Sequence, residues 1–226
     1  SIMNAQVNLK AADNLLIAST NNPTTSNPNI TTNGLRSTFY TYTDNTIINA
    51  VSSTGNISVT GNLPSKLALA AAAGDISAKD IVMFPSSTGN ATLLAAKDTF
   101  INNFVMSDVD PQSLPRITTP NIKSVRIDSV SLDNIIGASG HASSLLHLNN
   151  NEPLRIYAGN DVVFSKEPAE GSVNRQSSPE TVVFSPKKVI VQAGNDVVDA
   201  NLIIQNNKST DVSVIQAGNS IRYSDT

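Results

Sequence analysis

Residues 189–225 read VIVQAGNDVVDANLIIQNNKSTDVSVIQAGNSIRYSD, and this stretch contains one short phrase twice, as VIVQAGND at 189–196 and as VSVIQAGNS at 212–220. A third copy, LRIYAGNDVVF, occupies residues 154–164. In each copy alternating apolar residues precede Ala-Gly-Asn, a pattern typical of a short strand that ends in a tight turn. The recurrence indicates that the chain builds one structural unit several times.

Weaker copies of the phrase occur upstream, with turns at 12–14, 55–57, 74–76 and 96–98. Gly55 and Gly74 are 19 residues apart, and Gly194 and Gly218 are 24 apart. A unit of about 20 residues with a short strand and a Gly/Asn turn is what one coil of a parallel β-solenoid requires. The sequence therefore predicts an all-β fold over residues 1–226, a single right-handed parallel β-helix of about eight to ten coils.

Stacked coils constrain the residues at the turns. Adjacent coils are about 4.8 Å apart, so a Gly at the turn leaves room where a side chain would meet the next coil. The Asn that follows each Gly is predicted to bond, amide to amide, with its equivalent in the next coil. These structural turn residues are Gly159, Asn160, Gly194, Asn195, Gly218 and Asn219. The inward positions are predicted to include Val189, Val191, Val197, Leu202, Ile204, Val212, Val214 and Ile221.

An antiparallel sandwich or barrel is the alternative fold. Alternating apolar residues beside Gly-Asn pairs also occur in hairpins, where the usual turn order is Asn-Gly. Here the order is Gly-Asn, and no mirrored strand follows. The spacing near 20 also exceeds the 8–12 residues typical of a meander.

Composition narrows the classes of function. The net charge is −3, and no run of Lys or Arg provides a nucleic-acid footprint. Because the chain has no Cys, disulfides, thiolate catalysis and Cys-ligated metals are excluded, which suits a secreted protein. No apolar stretch is long enough for a transmembrane segment. The first residues do not form a signal peptide, and the chain starts within the repeat pattern, as a piece of a longer protein would.

Three polar stretches interrupt the repeat, at about 20–38, 107–121 and 165–180. They are rich in Pro, Asn, Ser and Thr, which disfavour a central strand. We predict that they are insertions that emerge as loops from one side of the stack, where solenoids often bind partners.

The segment MSDVDPQSLP at 106–115, together with RIYAGNDVVF, VIVQAGNDVVDANLIIQN and VSVIQAGNSIRYSD, resembles the filamentous haemagglutinin family. These large exoproteins are secreted by the two-partner route in Gram-negative bacteria. The resemblance implies a β-helical shaft segment of an adhesin or contact-dependent-inhibition protein, exported through an outer-membrane secretion partner to the bacterial cell surface. It also implies roles in biofilm formation and virulence. The chain contains neither the family's N-terminal secretion domain nor a recognisable toxin.

Parallel β-helices also include polysaccharide lyases and glycoside hydrolases, which need paired carboxylates or an acid and a base on one face. Asp108 and Asp110 in SDVDP are the nearest match, although Pro111 makes a turn an equal interpretation. His141 and His147 would share one face of a strand, but a metal site needs a third ligand. The sequence contains no nucleophile elbow or nucleotide-binding loop. We therefore predict no catalytic residues, no metal, no cofactor and no enzymatic activity.

One aromatic cluster, RSTFYTYTDN, carries the candidate ligand contacts Arg36, Tyr40 and Tyr42. Exposed tyrosines hold sugar rings by stacking on their apolar faces while the hydroxyl forms hydrogen bonds. The competing interpretation is that these residues cover a sheet edge at an insertion. The favoured function is structural and adhesive, with a glycan or a cell-surface receptor as the partner. The alternative is a polysaccharide-binding or polysaccharide-cleaving β-helix.

Overall fold

The computed structural model describes residues 4–18, 20, 25–26, 37–38, 42–114, 141–164 and 183–224. Across these residues the protein is all-β, and its one helical element is a 3₁₀ turn at Pro111–Ser113. A two-stranded antiparallel ribbon, β3 (Thr25–Ser26) with β4 (Ser37–Thr38), is separate from the main sheets. All strand pairs in the two main sheets are parallel, which confirms the predicted solenoid class and rules out the antiparallel sandwich.

The first sheet has seven parallel strands, one from each described coil. In spatial order they are β1 (Gln6–Ala11), β5 (Ile47–Ser52), β7 (Lys66–Ala71), β9 (Asn90–Ala95), β11 (Leu154–Ala158), β14 (Val189–Ala193) and β17 (Val214–Ala217). Along the chain each of these strands is followed by a strand of the second sheet, and each pairs with strands one coil away. This alternation is the winding of a solenoid. The described coils number seven, fewer than the eight to ten predicted.

The second sheet continues the coils on another face. Its strands run in the order β2 (Leu15–Ala18), β6 (Ile57–Leu63), β8 (Ile76–Met83), β10 (Thr99–Met106), β12 (Val162–Phe164), β15 (Asp196–Val198) and β18 (Ser220–Arg222). Two further strands, β13 (Val183–Ser185) and β16 (Leu202–Ile204), extend the second half of β10.

The long strands of the second sheet turn a corner at residues with left-handed backbone. Gly61, Asp80 and Asn103 have φ angles of 83°, 49° and 53°. Asp and Asn tolerate this region better than other residues with side chains, because their short polar groups form local hydrogen bonds. Here Asn103 Nδ2 donates to Asp80 Oδ1 at 3.1 Å, so the corner residues of adjacent coils are joined directly.

A single apolar core fills the coil interior. Strand residues alternate between buried and half-exposed, as in β7, because every second side chain points inward. The largest fully buried side chains include Phe104, Phe164, Ile48, Leu93 and Ile101. Parallel ladders stack aliphatic side chains on aliphatic side chains, and this stacking removes the inner face of every central coil from water.

The inward positions were predicted correctly except near the last strands. Val189, Val191 and Val197 are completely buried, and Leu202 and Ile204 pack against the core. Val212 was wrongly placed, because it is 66% exposed and precedes β17. The prediction that Val214 points inward was also wrong. Val214 pairs with the outward residue Ile190, and Ile215 lies beside the buried Val191. Ile221 pairs with Val197 but is 56% exposed, since β18 is the last strand of its sheet.

The turn glycines stack in a column, as predicted. A Cβ built on Gly159 would overlap the carbonyl oxygen of Ala96, and one built on Gly194 would overlap that of Gly159. Gly218 stands in the same relation to Gly194. The backbones of adjacent coils therefore approach too closely for any side chain at these three positions.

The predicted ladder of hydrogen bonds between Asn side chains of adjacent coils is wrong, because each Asn donates to an Asp carboxylate rather than to another Asn. The side-chain amides of Asn160, Asn195 and Asn219 each donate at 2.8 Å to a carboxylate of the preceding coil, on Asp98, Asp161 and Asp196 respectively. The same carboxylates of Asp98 and Asp161 also accept a backbone N–H of the next coil at 2.9 Å. An ionised carboxylate accepts such bonds more strongly than a neutral amide does, so the ladder is built from Asn donors and Asp acceptors.

The three predicted insertions lie between strands of the main sheets. Most of 20–38 and all of 165–180 are outside the described residues. The middle insertion is longer than the predicted 107–121, because β10 ends at Met106 and β11 begins at Leu154. Its described parts are 107–114 and 141–153, which pack against the stack and form the sites below.

Candidate functional site

A cleft of about 860 Å³ lies between the outer face of the first sheet and residues 144–152, which we term the cover segment. Strands β5, β7 and β9 supply one wall, because their outward side chains point away from the core. The cover segment supplies the other wall with mixed apolar and amide side chains. The lining consists of Ile47, Lys66, Leu67, Ala68, Ser87, Thr88, Asn90, Thr92, Ser144, Leu145, Leu146, Leu148, Asn149, Asn150, Asn151 and Glu152.

Hydrogen bonds fasten the cover segment to the coils. Asn150 Nδ2 donates to the carbonyl oxygen of Gly89 at 3.1 Å, just before β9 begins. Lys208 Nζ reaches across from a later coil and donates to Asn151 Oδ1 at 2.8 Å. Glu152 Oε2 accepts from Arg155 Nη1 at 2.9 Å on β11. Three coils therefore hold the wall of the cleft in place.

His147 anchors the cover segment from below and is only 2% exposed. Burial, together with the positive charge of Lys187, lowers the pKa of His147 to about 4, so the ring is neutral at ordinary pH. His141 is far more exposed and makes different contacts. The two histidines therefore do not share one set of contacts, and in the described part of the chain no three His, Cys, Asp or Glu side chains converge on a metal position.

Lys187, which lies beside the cleft, is the buried charged residue that sequence reasoning missed. Its side chain is 1% exposed, and Nζ donates to the carbonyl oxygen of Gly89 at 2.8 Å and to Asn90 Oδ1 at 3.4 Å. Burial lowers its pKa to about 8, against the opposing effect of Glu152. In the sequence SPKKVI a Lys before a strand indicates a solvated residue, and nothing local marks it as buried.

Next to the cleft the outer face of the first sheet carries an apolar row. Residues Val51, Ala70, Leu94 and Tyr157 are in register on four successive strands. Val51 is 37% and Leu94 43% exposed, and Tyr157 is half-buried on the same face. Exposed aliphatic residues beside a Tyr ring form a flat surface that suits the apolar face of a sugar.

The predicted contact residue Tyr42 does not face solvent. It is 4% exposed, its ring packs edge-on against Phe84 with centroids 4.9 Å apart, and its hydroxyl donates to the carbonyl oxygen of Thr20 at 2.8 Å. Burial raises the pKa of this hydroxyl to about 12. Tyr42 therefore covers the stack, which corrects the expectation of a ligand contact. Arg36 and Tyr40 lie outside the described residues.

A second, smaller pocket of about 460 Å³ contains an acid–imidazole pair. Asp108 Oδ2 and His141 Nδ1 are 2.6 Å apart, with the carboxylate largely buried and the imidazole mostly exposed. Ser143 and Ser144 also line this pocket. Asp110 has a different role, because its carboxylate accepts the backbone N–H of Gln112 at 2.8 Å and caps the 3₁₀ turn. The two acids therefore have different hydrogen-bond partners.

Comparisons with protein-family models, with curated proteins and with solved structures give no match for this chain. Among the described residues none belongs to a helix of the length and hydropathy needed to cross a membrane.

Proposed function

We propose that this chain is a shaft segment of a secreted bacterial surface exoprotein of the filamentous haemagglutinin type, without enzymatic activity, and that it mediates attachment by binding a glycan in the cleft. The observation that carries the proposal is the cleft itself, about 860 Å³ in volume with amide, hydroxyl and apolar side chains on facing walls. Ligand sites typically span about 300–1,000 Å³ and combine apolar walls with a few fixed polar groups.

The lining suits sugar rings in particular. Asn149, Asn150 and Asn151 provide both donors and acceptors, which match the hydroxyl groups around a ring. Leu145 and Leu148 are each 43% exposed and offer apolar contact for ring C–H groups. The row that ends at Tyr157 extends this surface along the stack, so that a linear oligosaccharide has contacts beyond the cleft.

The solenoid supports a role in attachment. Each coil contacts its neighbours only, so the stack lengthens in one direction and displays a site away from a surface. The recurrent Gly, Asn and aliphatic residues are explained by coil stacking. One wall of the cleft comes instead from an insertion held on this rigid scaffold, an arrangement in which binding residues commonly lie.

Tyr157→Ala is expected to weaken glycan binding about tenfold, because it removes the one aromatic ring of the apolar row. The measurement is the dissociation constant for a ligand selected from a glycan array, obtained by biolayer interferometry. The matched control is Tyr223→Ala, which removes a 76% exposed ring near the last strand of the second sheet. Equal affinities for both variants would contradict placement of the site on the first sheet.

The Asp108–His141 pair favours one second candidate, cleavage of a polysaccharide. A carboxylate that holds Nδ1 of an exposed imidazole leaves Nε2 as a base. If this candidate is correct, incubation with acidic and neutral polysaccharides, with and without Ca²⁺, releases reducing or unsaturated ends, and Asp108→Asn abolishes the release. Asp110→Asn is the control, since the Asp110 carboxylate caps the 3₁₀ turn, while the His141 ring is bonded to Asp108 instead. Saturable binding without product supports attachment instead.

A further inference from the structure

Positive charge gathers around the cleft in a chain whose net charge is −3. Five cationic side chains line the cleft or lie close to its walls: Lys66, Arg155, Lys187, Lys188 and Lys208. Three carboxylates lie in the same region: Asp44, Glu152 and Asp211. The sign of the local charge is therefore opposite to that of the whole molecule, a feature that raises the local concentration of anions.

The carboxylates near the cleft are already engaged. Glu152 binds Arg155 at 2.9 Å, and Asp211 binds Lys188 at 3.0 Å. Asp44 accepts the hydroxyl of Ser86. Among the described residues no carboxylate lies within ion-pair distance of Lys66 or Lys187. Lys208 also forms no ion pair in this part of the chain, and its Nζ donates to the neutral Asn151 Oδ1 at the rim. Lys66 and Lys187, the two cations nearest the floor of the cleft, are thus without a counter-ion among the described residues.

Lys66 and Lys187 stand in different relations to the cleft. Lys66 lines it directly, on the outward side of β7 and in register with Asn90 of β9. Lys187 lies behind Asn90, and its ammonium group is held by neutral oxygens alone. Because Asn90 Oδ1 faces that ammonium group, its amide N–H groups are left to donate into the cleft. The floor therefore presents one cation and one oriented donor, with a buried positive charge behind them.

We infer that the ligand of the cleft carries an anionic group on a sugar ring, a carboxylate or a sulfate, that takes Lys66 as its counter-ion. The inference rests on the proposed glycan-binding function and names the class of glycan. A buried ammonium group without a counter-ion is unfavourable, so an anion that enters beside Asn90 gains more here than at an exposed lysine. The described lining of the cleft contains no aromatic side chain, and the adjoining row has the single ring of Tyr157. Successive nucleic-acid bases stack on several aromatic side chains, so this surface favours a sugar polymer over a polynucleotide.

The experiment compares polymers that share a backbone and differ in charge. Polygalacturonate is measured against fully methyl-esterified polygalacturonate, and dextran sulfate against dextran, by calorimetry with the intact chain. We expect at least one acidic polymer to bind ten or more times more tightly than its neutral partner. The two pairs distinguish a carboxylate ligand from a sulfate ligand.

Variants test whether the charge acts at this site. Lys66→Met is expected to weaken binding of the acidic polymer about tenfold and to leave the neutral polymer unaffected. The control is Lys79→Met, which removes an exposed lysine from β8 of the second sheet. Equal losses in both variants would mean diffuse attraction and would overturn the inference.

Proton linkage provides a second measurement. The pKa of Lys187 is about 8, and a bound anion stabilises the protonated form, so affinity for the acidic polymer is expected to fall as pH rises from 7 to 9. The charged groups that surround Lys187 are Glu152, Arg155, Lys66 and Lys188. His147, whose pKa is lowered to about 4, is neutral from pH 7 to 9. Lys187→Met should remove the pH dependence.

The failures are distinguishable. If neutral and acidic polymers bind equally and Lys66→Met changes nothing, the anionic ligand is wrong while glycan binding stands. If no polymer and no member of a glycan array binds, the proposed function fails, and this inference fails with it.

Discussion

Gly194→Val is expected to lower the free energy of unfolding by about 3 kcal/mol or more. The new Cβ would overlap the carbonyl oxygen of Gly159, a backbone atom that cannot move without breaking the register between β11 and β14. The measurement is the urea midpoint and slope followed by circular dichroism.

The matched control is Gln192→Val, which introduces the same side chain on the exposed face of the same strand. A second control, Asn206→Ala, alters an exposed turn in which Asn206 Oδ1 accepts from Ser213 at 2.8 Å, and it should cost well under half as much. Similar midpoints for Gly194→Val and either control would contradict the stacked-glycine column.

Phe104→Ala is expected to cost about 3–5 kcal/mol, the range for truncation of a buried aromatic residue. Phe104 is completely buried, follows the left-handed Asn103 at the corner of β10, and pairs with Ile81 and Val183 on the neighbouring coils. Neighbouring coils are held by their own backbone ladders, so they cannot close the cavity without losing hydrogen bonds.

Phe100→Ala is the control for that prediction. It makes the same truncation four residues earlier on β10, where the ring is only half-buried and pairs with Ser77 and Val163. Its cost should be less than half that of Phe104→Ala. A reversal of the order would mean that the faces of β10 are assigned wrongly.

The strands and the glycine column were predictable because they depend on local patterns that recur. The alternation of apolar and polar residues fixes which face of a strand is apolar. Aligning the repeated phrase gives the register of Leu154 with Val189 and of Ile156 with Val191. Near Val214 the same reasoning failed, because the phrase VSVIQAGNS offers two alternating sets of apolar residues. The turn at Gly218 decides in favour of Ile215, through its stacking on Gly194.

The Asp acceptors of the ladder were not predicted, because a hydrogen bond between coils depends on the relative height of two turns. Asn195 and Asp161 are not equivalent positions in the repeat, yet they are 2.8 Å apart. Aligning the repeats places identical residues at equivalent positions, so the alignment predicted a bond from each Asn to the Asn of the next coil.

The cleft could not be predicted from the sequence for a similar reason, because it depends on contacts between distant parts of the chain. Its walls join β7 to the cover segment, and its charge depends on Lys187, whose ammonium group meets Gly89 across an interval of 98 residues. The aromatic cluster RSTFYTYTDN indicated Tyr42 as a ligand contact instead. That side chain is apolar enough to be buried, and its hydroxyl has a partner in Thr20.

The pairing of β9 with β11 has an evolutionary consequence. Thr92 lies beside Arg155 and Leu93 beside Ile156, although the whole of β10 and the interval 107–153 separate them in the chain. The entropy of closing such an excursion grows by only about 0.6 kcal/mol for each doubling of its length. An interval of this kind can be lengthened, shortened or exchanged by recombination while the ladder beneath it keeps its register. Specificity and stability can then evolve separately, the first in the excursion and the second in the ladder.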